Sequence, residues 1–240
     1  MPSVASHNNT TMNQYLVATI KPWNILMFEN RTSDFPGTWN MITDPADLSA
    51  AKVQALRPRY IFFPHWSWIV PSTILHTVEC VCFHMTDVPY GRGGSPLQNL
   101  IVRGHSQTML TALKMTEELD AGPVYLKRPL SLAGTAQEIF VRGSKLAFDM
   151  IEEIVKTEPK TEPQVGEPVV FERRTAVQSL LPSGESIENL YDHIRMLDAE
   201  TYDHAFVEND FYHIELHDAK ISGNTVTAKA VLRLKGEEDD

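Results

Sequence analysis

The chain has 240 residues, 42% of them hydrophobic, and a formal net charge of −10. This length is enough for one well-buried core and too short for two full-sized domains, so we expect one main domain. A protein that binds tRNA or DNA gains most of its affinity from clustered lysines and arginines, so the acidic balance argues against a nucleic-acid partner.

The sequence has no run of 18 apolar residues, and its polar start lacks the basic and then apolar order of a signal peptide. These two features predict a cytoplasmic protein with no membrane partner. We interpret residues 1–13 as a disordered N-terminus.

The first part of the chain alternates short apolar runs with helical patterns, which is typical of a parallel sheet covered by helices. We predict strands in YLVATI (15–20), WNMIT (39–43) and RYIFF (59–63), and helices that begin at Pro22 and after an N-cap at Asp44. The connection TIKPWN contains no glycine, so it cannot form the phosphate-binding loops of nicotinamide and ATP enzymes.

The same alternation continues to residue 158. ECVCFHM (79–85), TMLTALKM (108–115) and GPVYLKRPL (122–130) are candidate strands, and helices are predicted after caps at Ser95 and Thr135. We therefore expect an α/β core over residues 14–158 with a mostly parallel sheet of about seven strands.

The last third of the chain differs in composition. The three prolines of PKTEPQVGEP (159–168) predict a surface linker, assigned to residues 159–175. Residues 176–240 then form an extension with a helix over 186–198 and a β-hairpin that turns at 222–224. Because a lone hairpin is only marginally stable, we expect this extension to pack in a homodimer.

Cys80, Cys82 and His84 share one face of a predicted strand. Residues i, i+2 and i+4 of a strand span roughly 13 Å, whereas zinc ligands lie about 2.0–2.3 Å from the metal, so we predict no metal site. A thiol hydrolase that uses Cys82 with His84 stays an alternative, although side chains along one strand do not oppose each other.

His84 lies where this strand runs into the glycine-rich stretch TDVPYGRGGSP, at the sheet edge where open α/β folds bind ligands. Gly93 and Gly94 permit close backbone approach and Arg92 supplies a fixed positive charge, so all three are candidates for binding the substrate. A carboxylate such as Asp120 would orient the histidine ring. The alternatives are a histidine satisfied by a backbone partner and, for Asp120, a solvated turn.

Two motifs resemble a known superfamily. HMTDVPYGRGGSPLQ (84–98) and ELDAGPV (118–124) occur in the same order as in the formyltransferases that use 10-formyltetrahydrofolate, and the resemblance spans roughly residues 59–210. It implies a Rossmann-like formyltransferase core with a small C-terminal helix and hairpin extension, and a one-carbon group transferase that needs no metal.

The resemblance also implies roles for particular residues. The catalytic histidine and aspartate of the superfamily fall on His84 and Asp120, while its asparagine falls on Cys82, whose thiol is a weak donor for an oxyanion. A nearby amide such as Gln98 or Asn99 could replace it. The residues implied for the folate pocket are Trp68, Ile69, Val70, Thr116, Glu117, Glu118 and Leu119. Trp68 fits ordinary core packing equally well.

Within the superfamily, the ATIKPWN opening and the FHMTDVPYGRGGSPLQNL run are most similar to nucleotide-sugar N-formyltransferases, in particular those of pseudaminic acid biosynthesis. This implies direct attack by the 4-amino group of a UDP-linked 4-amino-4,6-dideoxy sugar on the formyl carbon. The alternatives are another amine, such as a methionyl-tRNA-like acceptor or a dTDP-amino sugar, and a catalytically degenerate protein that binds folate or a nucleotide sugar.

Overall fold

The computed structural model describes residues 12–235, so most of the predicted disordered N-terminus lies outside the described residues. The strands are β1 (Gln14–Ala18), β2 (Thr38–Ile42), β3 (Tyr60–Pro64), β4 (Glu79–His84), β5 (Tyr90–Gly93), β6 (Gln107–Lys114), β7 (Val124–Ser131), β8 (Val169–Phe171), β9 (Ala205–Glu208), β10 (Tyr212–Ser222) and β11 (Thr225–Leu234). The α-helices are α1 (Pro22–Arg31), α2 (Ala50–Leu56), α3 (Ser72–Leu75), α4 (Pro96–Val102), α5 (Ala136–Thr157) and α6 (Ile187–Arg195).

Six strands form the central sheet in the order β2-β1-β3-β4-β6-β7. β6 pairs antiparallel with both of its neighbours, and the pairs between the other four strands are parallel. The predicted α/β fold with a mostly parallel sheet is therefore confirmed, with six strands in this sheet rather than seven.

Helices cover both faces of the sheet, which is why its central strands are continuous apolar runs. Tyr15 and Val17 belong to the core that contains α5, whereas Leu16 and Ala18 belong to a second core that contains Val53 of α2 and Ile74 of α3. Cys82 packs against this second core, so alternation along β4 directs His84 to the same face.

The caps of two helices differ from the prediction. Asp44 caps a short 3-10 turn, where its carboxylate accepts a hydrogen bond from the amide of Ala46 at 2.9 Å, and Ser49 caps α2 instead. Ser95 adopts a left-handed conformation before α4 and makes no cap; its Oγ accepts from the amide of Arg174 at 3.0 Å. The cap at Thr135 is confirmed and forms a reciprocal capping box with Glu138.

The segment predicted to be a surface linker is bound to the core. Its residues Val169–Phe171 form β8, which pairs in parallel with β5, and the backbone of Glu162 exchanges two hydrogen bonds with Val124. The polar, proline-rich composition did not predict this docking, which combines the backbone pairing of β8 with burial of the Phe171 side chain in the core. The division of the chain into domains stays a prediction.

The C-terminal extension contains α6 and a three-stranded antiparallel sheet in the order β11-β10-β9. Its predicted hairpin is confirmed and turns at Gly223 and Asn224. Arg195 at the end of α6 donates to the carbonyl oxygens of Leu132 and Gly134 at 2.7 and 2.8 Å, which ties the extension to the core.

Of the helices in the described part of the chain, none has both the length and the apolar character needed to cross a bilayer.

Candidate active site

His84 is buried at the carboxyl end of β4, and a backbone contact fixes its ring. Its Nε2 lies 2.7 Å from the carbonyl oxygen of Gly91. A carbonyl oxygen can only accept, so Nε2 carries a proton and donates it. The other ring nitrogen, Nδ1, is thereby directed away from Gly91 and toward Asp120.

Asp120 comes from the loop between β6 and β7, where it adopts a left-handed conformation with φ of 52°. Its Oδ2 lies 3.5 Å from Nδ1 of His84 and accepts a hydrogen bond from the amide of Gly93 at 3.0 Å. Two predicted catalytic side chains, separated by 36 positions in the sequence, are thus adjacent, with His84 buried and Asp120 partly buried.

Gln164, which sequence reasoning missed, locks the Asp120 loop in place. Its Nε2 donates to the carbonyl oxygens of Asp120 and Gly122 at 2.7 and 2.8 Å, and its Oε1 accepts from Arg92 at 3.1 and 2.9 Å. Gln164 lies in the predicted linker, where no motif distinguishes it from a solvated side chain.

Arg92, Gly93 and Gly94 border the site in a different way from the one expected. Arg92 is paired with Glu118 at 3.3 Å as well as with Gln164, so a phosphate would have to compete for its guanidinium. A Cβ on Gly93 would lie 2.5 Å from the carbonyl oxygen of Phe171. β8 and the residues after it therefore occupy the space that the missing side chains of these glycines leave. A role for Arg92, Gly93 and Gly94 in substrate binding stays a prediction.

Cys82 lies beside the pair but is not poised as a nucleophile. Burial raises the pKa of its thiol well above the usual range, and the carboxylate of Asp120 raises it further. Because the thiolate is the reactive form, this environment disfavours the thiol hydrolase alternative. Cys80 is deeper in the core, where burial raises its pKa to about 12.

The two amides expected to replace the missing asparagine are both committed elsewhere. Gln98 donates to the carbonyl oxygen of Met196 at 3.1 Å, and Asn99 donates to three carbonyl oxygens around the start of α4. None of these hydrogen bonds reaches His84 or Asp120, so the substitution of one of these amides for the asparagine stays a prediction.

The residues predicted to bind folate form two neighbouring segments. Val70 is buried, whereas Trp68, Ile69 and Leu119 are large apolar side chains that remain exposed. An ion pair of 3.2 Å joins Glu117 of the second segment to His76, which follows α3. Exposed apolar side chains from both segments are suited to binding an aromatic ligand. Their role as a folate pocket stays a prediction.

A cavity of about 620 Å³, which we call the basic cavity, opens beside α4 and β8 and is lined by Arg103, Arg173 and Arg174 together with Val102, Val170 and Glu172. Its arginines exceed its one acidic residue. The Nε of Arg174 is buried and makes no hydrogen bond within residues 12–235. The cavity begins close to the site, because Arg173, which lines it, packs directly against Gly94. A Cβ on Gly94 would lie only 2.5 Å from Cα of Arg173.

The fold is shared with formyltransferases. The structure named HypX from Aquifex aeolicus in complex with tetrahydrofolic acid has a TM-score of 0.70, 16% identity, and covers 88% of this chain and 38% of that chain. Structures named as sugar N-formyltransferases from Shewanella and Mycobacterium tuberculosis have TM-scores of 0.66 at 14% and 16% identity. At these identities the likeness establishes the fold, which is the Rossmann-like formyltransferase fold.

Methionyl-tRNA formyltransferase from Clostridium thermocellum is more similar. Its structure is 41% identical with a TM-score of 0.88, covering 92% of this chain and 99% of that chain. The chain therefore belongs to the formyltransferase family. A family model described as the C-terminal domain of methionyl-tRNA formyltransferase matches residues 176–233.

Curated relatives carry the same name but are longer. Methionyl-tRNA formyltransferase of Campylobacter curvus is 26% identical over 190 residues, which is 78% of this chain and 62% of that protein. The chain thus spans less than two thirds of the length of this relative.

Proposed function

We propose that this protein transfers the formyl group of 10-formyltetrahydrofolate to a primary amine. The observation that carries the proposal is the pairing of buried His84, at the carboxyl end of β4, with partly buried Asp120, with Nδ1 and Oδ2 3.5 Å apart. Membership of the formyltransferase family supports the choice of a folate donor, and the exposed apolar side chains near the pair support a site for its aromatic ring.

In the proposed reaction the neutral amine attacks the formyl carbon, and a tetrahedral intermediate forms. Since Gly91 holds the proton of Nε2, Nδ1 is the ring nitrogen left to accept the proton that the amine loses. The imidazolium so formed is stabilised by the carboxylate of Asp120 and by the Gly91 carbonyl. When the intermediate collapses, this proton passes to the departing folate nitrogen, and the products are the formamide and tetrahydrofolate.

In this assignment His84 accepts a proton and does not donate a hydrogen bond to the oxyanion. The proton on Nε2 is used by Gly91, so the ring has no free N–H until Nδ1 is protonated. Asp120 then acts as an orienting group and electrostatic partner. Its own oxygen is fixed by the amide of Gly93, which keeps the carboxylate facing the ring.

For the acceptor, the comparisons favour methionyl-tRNA over the nucleotide-linked sugar implied by the motifs. Both the 41% identical structure and the model that matches residues 176–233 are named for methionyl-tRNA formyltransferase. The basic cavity supports a phosphate-bearing acceptor, because arginine recognises phosphate with bidentate hydrogen bonds.

One observation keeps a nucleotide-linked amino sugar as the second candidate. The net charge of −10 is unfavourable for tRNA, whose binding depends on many phosphate contacts, whereas a nucleotide sugar carries few phosphates that one cavity could hold.

The test is to incubate the purified chain with 10-formyltetrahydrofolate and one acceptor at a time. The three acceptors are methionyl-tRNA, a UDP-linked 4-amino-4,6-dideoxy sugar and a dTDP-linked 4-amino-4,6-dideoxy sugar. Mass spectrometry should detect formylmethionyl-tRNA and the release of tetrahydrofolate. Formylation of a sugar but not of methionyl-tRNA would mean that the acceptor is a nucleotide sugar, while the proposed formyl transfer would still hold. No formylated product with any acceptor, from a chain that still binds folate, would overturn the proposal in favour of a degenerate folate-binding protein.

A further inference from the structure

Three side chains of the C-terminal extension converge on one point outside the active site. Asp198 follows α6, His204 precedes β9 and His217 lies on β10. Each offers one ligand atom within 4.8 Å of the other two, and the two histidine rings have centroids 4.1 Å apart. All three are partly buried.

The distances within this cluster do not fit hydrogen bonding. Asp198 Oδ1 lies 3.9 Å from Nε2 of His204 and 3.8 Å from Nδ1 of His217, which is beyond hydrogen-bond range. Two metal–ligand bonds of about 2.0–2.1 Å at a tetrahedral angle bring ligand atoms to about 3.4 Å from each other. The two distances from Asp198 therefore exceed the spacing of ligands on one ion by only about half an ångström.

The surroundings hold the ligands in a suitable orientation. Asp198 uses its second oxygen, Oδ2, to accept from the amide of Asp218 at 2.9 Å, which leaves Oδ1 facing the histidines. The Nε2 of His217 is buried without a hydrogen bond in the described part of the chain and lies 3.8 Å from Oε2 of Glu215. A carboxylate behind the non-ligating nitrogen is the usual outer partner of a metal-bound histidine.

We propose that Asp198, His204 and His217 bind a divalent transition-metal ion of the zinc type, with water completing its coordination. Two imidazoles and one carboxylate form a donor set that suits zinc. The expectation of no metal came from the cysteine strand, whereas the members of this cluster follow α6, precede β9 and lie on β10.

The ion would act as a structural clamp. It would join the end of α6 to β9 and β10, and so fix the connection of residues 198–204. That connection reaches the core, where Nζ of Lys21 donates to Thr201 at 2.6 Å and Tyr202 contacts His65 at 2.7 Å. Metal binding is therefore expected to raise the melting temperature of the whole chain.

The test uses the full chain purified without a histidine tag, stripped with a chelator and then given zinc. After desalting, elemental analysis should find about one zinc ion per chain, and zinc should raise Tm in a way that the chelator reverses. His204→Gln and His217→Gln should each weaken zinc binding by at least about ten-fold, as should Glu215→Gln through the outer shell. The control His76→Gln removes an exposed histidine elsewhere and should bind zinc like the wild type.

Circular dichroism of each variant separates loss of the site from loss of the fold. If a histidine variant is unfolded, Asp198→Asn, which preserves shape, supplies the same comparison. A wild-type chain that retains no more zinc than the His204→Gln and His217→Gln proteins would overturn the proposal. So would folded ligand variants that bind zinc as tightly as the wild type.

Discussion

His84 has one nitrogen for holding its position and one for chemistry. Nε2 donates to the backbone of Gly91, and Nδ1 faces a carboxylate that is itself held by a backbone amide. The ring is therefore fixed in position before a substrate arrives, which is the condition under which a proton acceptor works without reorganisation. Cys82, on the same face two residues earlier, contributes no comparable donor.

The substitution Cys82→Asn tests whether the site lacks a hydrogen-bond donor at this position. An asparagine amide at this position would add a donor for the developing oxyanion, so we expect kcat to rise by about ten-fold, less than the full value of a native oxyanion donor because the surrounding site is adapted to a thiol. Steady-state formyl transfer measures the change. Cys82→Ala is the control, since it removes the thiol and adds no donor. An unchanged kcat for Cys82→Asn would show that the asparagine position does not contribute a donor here.

At the scale of elements, the segment between the core and the extension shapes the site. β8 pairs with β5, and Gln164 joins the Asp120 loop to Arg92. These contacts close one side of the catalytic loop by backbone and amide hydrogen bonds. The segment therefore positions Asp120, although it contributes no group that we assign to the chemistry.

Gln164→Ala should lower kcat more strongly than it weakens folate binding, because Gln164 bonds to the backbone of Asp120 and Gly122 rather than to the residues predicted to bind folate. We also expect the pH profile of kcat to shift, since the separation of the carboxylate from His84 would vary. Gln54→Ala, on the exposed face of α2, is the matched control. A variant in which folate Kd changes and kcat does not would contradict the positioning role.

A network of hydrogen bonds and ion pairs around Glu79, at the start of β4, lies at the end of this strand opposite the site. Burial raises the pKa of Glu79, but hydrogen bonds from Arg59 and Tyr125 outweigh burial, and the net pKa is lowered. Arg59 contacts Glu79 at 2.8 Å and Glu158 at 3.3 Å, so the network joins β3, β4, β7 and the end of α5.

A lowered pKa in the folded state means that Glu79 stabilises the fold above the pKa of an unfolded glutamate, about 4.3. This contribution is lost as the pH falls through the folded value. We expect Glu79→Gln to lower Tm at pH 7 and to have a much smaller effect at pH 3. Thermal unfolding at both pH values measures this, with Glu29→Gln on the exposed side of α1 as the control. An equal loss at both pH values would mean that the charge is not responsible.

For the whole molecule, the overall charge and the charge beside the site differ in sign. The chain is strongly acidic, yet the basic cavity gathers three arginines next to the site. A sequence total cannot reveal such a cavity, because Arg103 and the pair Arg173 and Arg174 are brought together by the pairing of β5 with β8. The argument from net charge against a nucleic-acid partner was therefore too coarse, and the similarity to methionyl-tRNA formyltransferases does not support it.

The parts of the structure that follow local patterns could be predicted. Apolar runs gave the strands of the core, Thr135 gave the start of α5, and the glycine after Ser222 gave the hairpin. Motif order was enough to pair His84 with Asp120. Contacts between polar residues of different elements could not be predicted, because they depend on tertiary docking that leaves no periodic signal. Three examples are the hydrogen bond from Gln164 to Asp120, the hydrogen bond from Gln98 to Met196, and the cluster of Asp198 with two histidines.

The most direct test of the account is the rate of formyl transfer from 10-formyltetrahydrofolate by the wild type and by Asp120→Asn at saturating donor and acceptor. The neutral amide keeps the shape of the side chain and removes the charge that stabilises protonated His84, so we expect kcat to fall by about 10²–10⁴-fold with folate binding retained. Asp34→Asn, on the exposed surface, should transfer formyl at the wild-type rate. Wild-type turnover by folded Asp120→Asn would contradict the assignment of this pair as the catalytic centre.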